Sequence, residues 1–212
     1  MLFKYIDRFD ISMFLYGYRL EVEEDVYMPR EDTFLLADAL LDEIKISDNV
    51  LEIGCGSGLL SLIAADRCES VVAVDVDAKA IETTKQNVRL NGFENVDIRI
   101  SDIFESVEGK FGLIIFNPPY LPGDIDFEEK FNKYEQWYGG KEGREVLERF
   151  SESVEDYMES GGRALVVVSS LTDIDKTVKQ FEKKGIECQI VAEKKVEWER
   201  LYVIKLYLND LR

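Results

Sequence analysis

Short β-branched runs alternate with longer amphipathic stretches from Glu31 onward. This alternation is typical of a parallel sheet flanked by helices. It predicts strands at residues 49–53, 70–75, 96–101, 111–117 and 163–169, and helices at residues 32–45, 59–67, 78–91, 144–160 and 172–184. We therefore expect an α/β fold with helices on both faces of a mostly parallel sheet.

The two ends of the chain follow a different pattern. Runs at 187–196 and 199–208 have only a short connection between them, which predicts an antiparallel hairpin because a parallel pair needs a long crossover. Near the other end, residues 11–26 alternate like a small hairpin around Gly17. The pattern predicts an N-terminal extension at residues 1–30 and one domain at residues 31–212.

The composition of the chain excludes several kinds of active site and disfavours one kind of partner. The chain of 212 residues carries 26 basic and 43 acidic residues, a net charge of −17, and contains no histidine. Histidine bases, histidine-activated nucleophiles and histidine-ligated metals are therefore excluded, and we expect no metal site. A strongly acidic chain also disfavours nucleic acid, because phosphate backbones are bound mainly by Lys and Arg.

Cysteine use and charge spacing bear on location. Cys55, Cys68 and Cys188 are widely spaced and form no CxxC pair, which fits a reducing compartment better than a disulfide framework. Charged residues interrupt the first ten positions, and no uncharged run reaches the roughly 18 residues that span a bilayer. We expect a soluble, cytoplasmic protein with no membrane partner.

The run LEIGCGSGLL places glycines between the first strand of the sheet and the helix after it. Glu52, Gly54, Gly56 and Gly58 alternate there, and glycines at such a turn let the backbone approach a ligand closely. A dinucleotide fingerprint would need glycine where Leu59 stands, which disfavours NAD and FAD, and no P-loop lysine follows. A tight turn without a ligand stays open as the alternative.

Two acidic residues follow the next two strands. Asp75 ends VVAVD at the distance expected of a carboxylate that binds ribose hydroxyls, and Asp102 follows the strand after it. Either could be only a helix cap or a turn former. Together, downstream of the glycine loop, they suit an adenosine, with Asp75 at the ribose and Asp102 at the adenine amino group.

The tetrapeptide NPPY ends the fourth predicted strand of the sheet. Asn117 offers an amide donor and acceptor, the Pro118 carbonyl is a second acceptor, Pro119 stiffens the backbone, and Tyr120 offers a flat face. These groups can hold a planar NH2 group, either a carboxamide or an exocyclic amine. The alternative is a rigid turn that ends the strand.

Four segments carry a family resemblance: VYMPREDTFLLADAL, LEIGCGSG, FNPPYL and GGKEGREVLERF. With them the chain resembles class I S-adenosylmethionine-dependent methyltransferases that act on amide or amino nitrogen. More narrowly, it is similar to the HemK-like release-factor glutamine methyltransferases of archaea and eukaryotes. The resemblance implies a Rossmann-like sheet of seven strands and S-adenosyl-L-methionine as cofactor.

The resemblance also implies roles for individual residues. Asn117, Pro118, Pro119 and Tyr120 match the clamp on the substrate amide. The positions that match the cofactor site are Thr33, Glu52, Gly54, Gly56, Asp75, Asp102 and Asn117, with Thr33 closing over the methionine end. The chain departs from the family at Gly112, where many members carry an acidic residue.

The NPPY residues by themselves do not identify the substrate. A glutamine in the Gly-Gly-Gln motif of a class I release factor and an N6-adenine of DNA or RNA both present a planar NH2. Residues 121–160 contain twelve acidic and five basic residues, a net of −7, which favours the protein substrate. A non-catalytic adenosine-binding module is a further alternative.

The predicted strand at residues 96–101 should lie at one edge of the sheet. Its backbone groups could then pair with a strand of another chain or be covered by the chain's own loops. The resemblance implies a small zinc-binding activator protein on this edge. We expect the isolated chain to be poorly soluble or weakly active without such a partner.

Overall fold

The structure is a computed structural model that describes residues 11–123 and 138–208. Its strands are β1 Ile11–Leu15, β2 Tyr18–Val22, β3 Asn49–Ile53, β4 Ser70–Asp75, β5 Val96–Ile100, β6 Phe111–Phe116, β7 Met158–Ser169, β8 Ile186–Lys195 and β9 Arg200–Leu208. Its α-helices are α1 Glu31–Glu43, α2 Leu59–Ala65, α3 Ala78–Leu90, α4 Glu145–Ser153 and α5 Ile174–Glu182. Among the described residues, no α-helix combines the length and the hydrophobicity of a membrane-spanning segment.

Seven strands form the main sheet in the order β5-β4-β3-β6-β7-β9-β8. The first five in this order run parallel, and β9 pairs antiparallel with both β7 and β8. This arrangement confirms the predicted parallel sheet with a C-terminal antiparallel hairpin. It also confirms that the strand predicted at residues 96–101 lies at an edge of the sheet.

Two hydrophobic cores cover the two faces of this sheet. Along β6 every residue is buried, and successive side chains join opposite cores, Ile114 one and Ile115 the other. Helices α1, α2 and α3 pack on the Ile115 face, whereas α4 and α5 pack on the Ile114 face. Both faces of the parallel strands are therefore covered by helices.

An antiparallel hairpin of β1 and β2 precedes the main sheet. Asn87 of α3 and Asn91, which follows that helix, hold the β2 strand, much as a neighbouring strand would. Asn87 accepts from the Glu21 amide (2.8 Å) and donates to the Glu21 carbonyl (3.0 Å), and Asn91 binds both backbone groups of Arg19. The hairpin predicted around Gly17 is present, and residues 1–10 of the predicted extension lie outside the described residues.

The helix predicted at residues 144–160 is too long. Helix α4 ends at Ser153, a 3-10 turn follows at Val154–Tyr157, and Met158 begins β7 by pairing with Phe111. Val154 and Met158 are both buried in the same core, and their spacing of four mimics a helical face. The register of β7 against β6 then shifts between Met158 and Arg163, where Gly161 has a positive φ angle of 73°.

The structure gives a reason for glycine at position 112. A Cβ atom on Gly112 would lie 2.9 Å from the Asp48 carboxylate. That buried carboxylate takes an ion pair from Arg163 (2.8 Å), whose guanidinium also donates to the Gly112 carbonyl. An acidic group near this strand is thus supplied by the loop before β3 instead of by β6 itself.

Candidate active site

A cavity of about 810 Å³ opens at the carboxyl edge of the sheet, the edge at which the parallel strands end. Open α/β sheets bind ligands at this edge. All the residues predicted for the site line the cavity: Thr33, Glu52, Gly54, Gly56, Asp75, Asp102, Asn117, Pro118, Pro119 and Tyr120. The tertiary structure therefore brings both predicted halves of the site, the cofactor residues and the NPPY clamp, around one space.

The glycine loop between β3 and α2 forms the floor of the cavity. Gly54, Gly56 and Gly58 all have positive φ angles, of 71°, 51° and 80°, which side chains rarely allow. A Cβ atom on Gly58 would also lie 3.0 Å from the Thr84 side chain of α3. The alternating glycines are thus required by the turn itself and by its packing on α3.

Asp75 at the end of β4 is bound to the glycine loop. One carboxylate oxygen accepts from the Gly56 amide (3.0 Å) and the other accepts from the Asp77 amide (2.9 Å). Burial raises the pKa of Asp75, while these backbone hydrogen bonds oppose the rise. The carboxylate is therefore fixed in direction at the place where the sequence predicts ribose binding.

Asp102 follows the edge strand β5 and lines the same cavity. Its carboxylate accepts from the Arg149 guanidinium of α4 at 2.8 Å, and both side chains are partly exposed. Arg149 also lines the cavity and was not predicted as a site residue. Val146, three residues before Arg149, also lines the cavity. Residues three apart share a face of a helix, and this spacing is the only local signal for Arg149 in the sequence.

Glu52 is almost fully buried beneath the glycine loop. Its carboxylate accepts a hydrogen bond from the Ser61 hydroxyl of α2. Burial raises the pKa of Glu52 to about 8, with the Ser61 hydrogen bond opposing the rise and the neighbouring Asp75 carboxylate adding to it. The cavity therefore holds a carboxyl group that can change its charge close to neutral pH.

A second buried carboxylate, Asp32, organises the NPPY clamp. Asp32 lies in the first turn of α1 and accepts from the Asn117 amide nitrogen (3.2 Å), the Tyr120 hydroxyl (3.4 Å) and the Tyr27 hydroxyl (2.6 Å). The backbone amide of Thr33 donates to its other oxygen (2.6 Å). Asp32 thus joins the N-terminal segment to the clamp.

This contact decides which way the Asn117 amide points. A carboxylate only accepts hydrogen bonds, so the amide nitrogen must face Asp32 and the amide oxygen must face away from it. That oxygen is buried and has no hydrogen-bond partner among the described residues. A buried acceptor without a donor is costly, which favours a ligand that supplies an N–H group there.

Asp32 and Tyr27 are functional candidates that sequence reasoning missed. The sequence pattern predicts Asp32 only as the first residue of the helix at 32–45 and indicates no role for Tyr27. An acidic residue in the first turn of a helix is common, so the local pattern carries no further signal. Only the approach of α1 to the end of β6 identifies them.

The GGKEGR segment lies behind the clamp. A Cβ atom on Gly139 would lie 2.6 Å from the Pro119 carbonyl, and one on Gly143 would lie 2.3 Å from the Tyr120 carbonyl. Arg144 is buried and donates to the Thr172 carbonyl (2.5 Å) and the Thr177 hydroxyl (2.6 Å). Its guanidinium therefore joins α4 to α5, and the adjacent glycines support the clamp backbone.

Three comparisons with known proteins find methyltransferases. Residues 31–131 match the family model of the methyltransferase small domain. The chain is 40% identical over 194 residues to a protein of Methanocaldococcus jannaschii provisionally named protein N5-glutamine methyltransferase, covering 90% of this chain and 96% of that one. It is 29% identical over 191 residues to human methyltransferase HEMK2, covering 85% of this chain and 89% of that one.

A similar fold has been solved in a related complex. The Mtq2–Trm112 complex of E. cuniculi, described as responsible for methylation of the translation termination factor eRF1, matches with a TM-score of 0.70 and 26% identity. The match covers 87% of this chain and 99% of the other. The chain therefore belongs to the HemK-like family of class I methyltransferases, which use S-adenosylmethionine as methyl donor, in the branch that contains its archaeal and human relatives.

Proposed function

We propose that this chain methylates the side-chain amide nitrogen of the glutamine in the Gly-Gly-Gln motif of a class I peptide chain release factor. The observation that carries the proposal is the Asn117 amide oxygen, a buried acceptor without a partner among the described residues, oriented by Asp32. A carboxamide NH2 supplies the missing donor. The names of the M. jannaschii and E. cuniculi relatives, a protein glutamine methyltransferase and a complex that methylates eRF1, support the same substrate class.

S-adenosylmethionine supplies an electrophilic methyl group when it is bound. Its polar groups fit the residues present, because Glu52, Asp75 and Asp102 are carboxylates at the cavity wall and the glycine loop leaves room for close backbone approach. We assign Asp75 to the ribose, Asp102 to the adenine side, and Thr33, Glu52, Gly54 and Gly56 to the rest of the cofactor site.

The clamp orients the substrate amide nitrogen and stabilises the charge that develops on it during transfer. An amide nitrogen is a poor nucleophile, because its lone pair is delocalised into the carbonyl. Acceptance of its two N–H groups by the Asn117 oxygen and the Pro118 carbonyl orients the nitrogen and stabilises the positive charge that develops on it. Tyr120 lies against the site and is held by Asp32. The proton becomes acidic only after methylation and can leave to water, so no histidine base is needed.

Charge at the mouth favours a protein over a nucleic acid. Six acidic side chains line the cavity, namely Asp25, Asp32, Glu52, Asp75, Asp77 and Asp102, against two basic ones, Lys79 and Arg149. Both basic groups are already in ion pairs, Lys79 with Asp25 (2.5 Å) and Arg149 with Asp102 (2.8 Å). A phosphate backbone would find few free cations here, whereas a basic protein loop is complementary.

The β5 edge suits an activator protein. β5 is the outer strand on this side of the sheet, and Ile100 is 55% exposed at its end. Such an edge can accept a strand of a second chain. The related Mtq2 is found with Trm112, which supports a small partner for this chain, and we propose that it is a zinc-binding activator that pairs along residues 96–101.

A cytoplasmic location is part of the proposal. Release factors act during translation termination, and all three cysteines of the chain are free thiols. Burial raises the pKa of Cys55 well above its ordinary value and that of Cys68 and Cys188 to about 11, so the thiols stay protonated and unreactive at neutral pH.

The decisive experiment measures methyl transfer from labelled S-adenosylmethionine to a class I release factor. We expect label in the wild-type factor and none in its Gln-to-Ala variant, in DNA or in tRNA. Label in adenine would contradict the proposed substrate. In a thermal-shift assay S-adenosylmethionine and S-adenosylhomocysteine should stabilise the chain, and NAD and ATP should not. Stabilisation without transfer to any substrate would instead indicate an adenosine-binding module.

A further inference from the structure

The cofactor residues occupy only one half of the carboxyl edge of the sheet. Glu52, Asp75 and Asp102 lie at the ends of β3, β4 and β5, and the clamp follows β6. Beyond β6, the same edge continues with the end of β7, the start of β9 and the connection at residues 196–199 between β8 and β9. Of this second half, only the turn after β7 has been described so far, through the Thr172 carbonyl that accepts from Arg144.

Two large apolar side chains are exposed on this second half. Trp198 is 84% exposed in the connection between β8 and β9, and Leu171 is 46% exposed in the turn after β7. Single exposed apolar residues are common on protein surfaces. These two, however, belong to neighbouring segments, because the Arg200 amide at the start of β9 donates to the Ser170 hydroxyl after β7 (2.9 Å).

The backbone that carries both side chains is firmly held. The Ser169 hydroxyl accepts from the Leu171 amide (3.0 Å) and donates to the Glu199 carboxylate. The Val196 amide donates to the Glu199 carbonyl (3.0 Å), which closes the connection around Trp198. We call Leu171, Trp198 and this supporting network the β7–β9 platform. A rigid surface loses little entropy when a partner binds it.

The β7–β9 platform adjoins the clamp. β9 lies two strands from β6, a separation of about 10 Å at the usual strand spacing. Burial raises the pKa of Tyr120, and the carboxylates of Asp32 and Glu199 raise it further, so Glu199 of the platform acts on the clamp tyrosine through space. An extended segment spans this distance in about three residues.

Local folding does not account for a tryptophan at this position. Short connections between strands favour Gly, Asn and Asp, and Trp198 is not among the side chains packed against either core. Tryptophan is instead a residue that anchors protein interfaces, because it buries a large area with few rotatable bonds.

We propose that the β7–β9 platform, with Trp198 as its anchor, docks the protein substrate through the residues that flank its target glutamine. This rests on the proposed function and adds to it a surface that selects the whole substrate protein. The activator proposed above would sit at β5, five strands away and about 24 Å from β9 by the same spacing, so it does not compete for this surface.

The test compares W198A with I46A on a whole release factor. Ile46 is a matched control because it is 86% exposed but lies between α1 and the start of β3. It is therefore at the end of the sheet where the parallel strands begin, away from the carboxyl edge. We expect W198A to lower kcat/KM about thirtyfold, mainly through KM, and W198F to restore most of it. I46A should leave kcat/KM unchanged, and all variants should keep the wild-type melting temperature and affinity for S-adenosylhomocysteine.

The outcomes separate this proposal from the proposed function. Wild-type transfer to the release factor with an unchanged kcat/KM for W198A would overturn the docking surface and leave the proposed function intact. Absence of wild-type transfer would overturn both. Light scattering adds a second check, since loss of a dimer in W198A with unchanged kcat/KM would mean that the platform binds a second copy of the chain instead.

Discussion

Two buried carboxylates line the same cavity but are held in opposite ways. Asp32, on the clamp side, accepts from Tyr27, Asn117, Tyr120 and the Thr33 amide. On the cofactor side, the donors to Glu52 among the described residues all belong to Ser61, through its hydroxyl and its backbone amide, and burial raises the pKa of Glu52 to about 8.

The difference indicates what each side of the cavity does. Many donors around one carboxylate fix the orientation of the groups that surround it, which a substrate clamp requires. A carboxyl group with few donors responds to whatever charge is brought next to it, which suits a site that binds a charged cofactor. Variants on each side should therefore fail in different ways.

The largest effect is expected from N117A on the clamp side. Loss of the amide oxygen removes an acceptor for the substrate NH2, so turnover should fall by about a thousandfold or more. Affinity for S-adenosylhomocysteine, measured by calorimetry, should stay within a few-fold. Wild-type turnover in N117A would refute the assignment of the clamp.

A smaller loss is expected when the support of the clamp is changed. In D32N the new amide can donate to the Asn117 oxygen, so the Asn117 side chain is free to turn and present its nitrogen to the substrate. Turnover should fall on the order of a hundredfold with little change in cofactor affinity.

Y27F is the matched control for D32N. It removes one donor to Asp32 but leaves the Asn117 contact in place, so its turnover should fall less than about tenfold. Equal losses in Y27F and D32N would mean that Asp32 acts through general stability and not through the orientation of Asn117.

E52Q tests the cofactor side through pH. Between the ordinary carboxyl value of 4.5 and about 8, the folded chain keeps a proton on Glu52 that the unfolded chain has released. The contribution of Glu52 to the free energy of unfolding therefore falls as pH rises through this window, by roughly a few kcal/mol. E52Q should remove this dependence of the free energy of unfolding on pH, and it should be more stable than the wild type at pH 8.5.

Urea unfolding at pH 6 and pH 8.5 measures this difference. The wild type and E52Q should differ more at pH 8.5 than at pH 6, because only the wild type has a proton to lose. Parallel pH profiles for the two proteins would show that Glu52 titrates at its ordinary pKa.

The smallest effect is expected where the N-terminal hairpin meets the cofactor side. Asn87 of α3 binds Glu21 in β2 and also donates to the Ser57 carbonyl in the glycine loop (2.9 Å). N87A removes the partner of the buried Ser57 carbonyl and of the partly buried Glu21 backbone, so it should destabilise the fold by about 2 kcal/mol and weaken cofactor binding a few-fold.

N91A is the control for this contact. Asn91 binds Arg19 of the same strand but makes no contact with the glycine loop among its hydrogen bonds. It should lower stability by about 1 kcal/mol and leave cofactor affinity unchanged. Weaker cofactor binding in both variants would mean that the whole hairpin, and not the Asn87 contact, supports the glycine loop.

Much of the fold follows from local sequence pattern. The strands at 49–53 and 70–75 match their predicted limits, and the C-terminal hairpin and the edge position of β5 are also as predicted. Burial on both faces makes a parallel strand a continuous apolar run, which is easy to recognise. The predicted end of the helix at 144–160 was wrong. Val154 and Met158 are four residues apart because both pack into the same core, and not because they lie on one helix.

The site was predictable only where it is local in sequence. The glycine loop and NPPY are short motifs, and the acidic residues follow their strands, so parallel topology alone brings them to one edge. Asp32 and Asn117 lie 85 residues apart, and Arg149 and Asp102 lie 47 apart. Contacts at such separations depend on how helices cross the sheet, which no local pattern encodes.

The order of helices and strands, the exclusion of histidine chemistry and many of the residues around the cavity follow from the sequence alone. The direction of the Asn117 amide, the burial that raises the pKa of Glu52 and the exposure of Trp198 depend on the tertiary structure. Periodicity and turn chemistry act between near neighbours, whereas hydrogen-bond direction and desolvation depend on every group that packs around an atom.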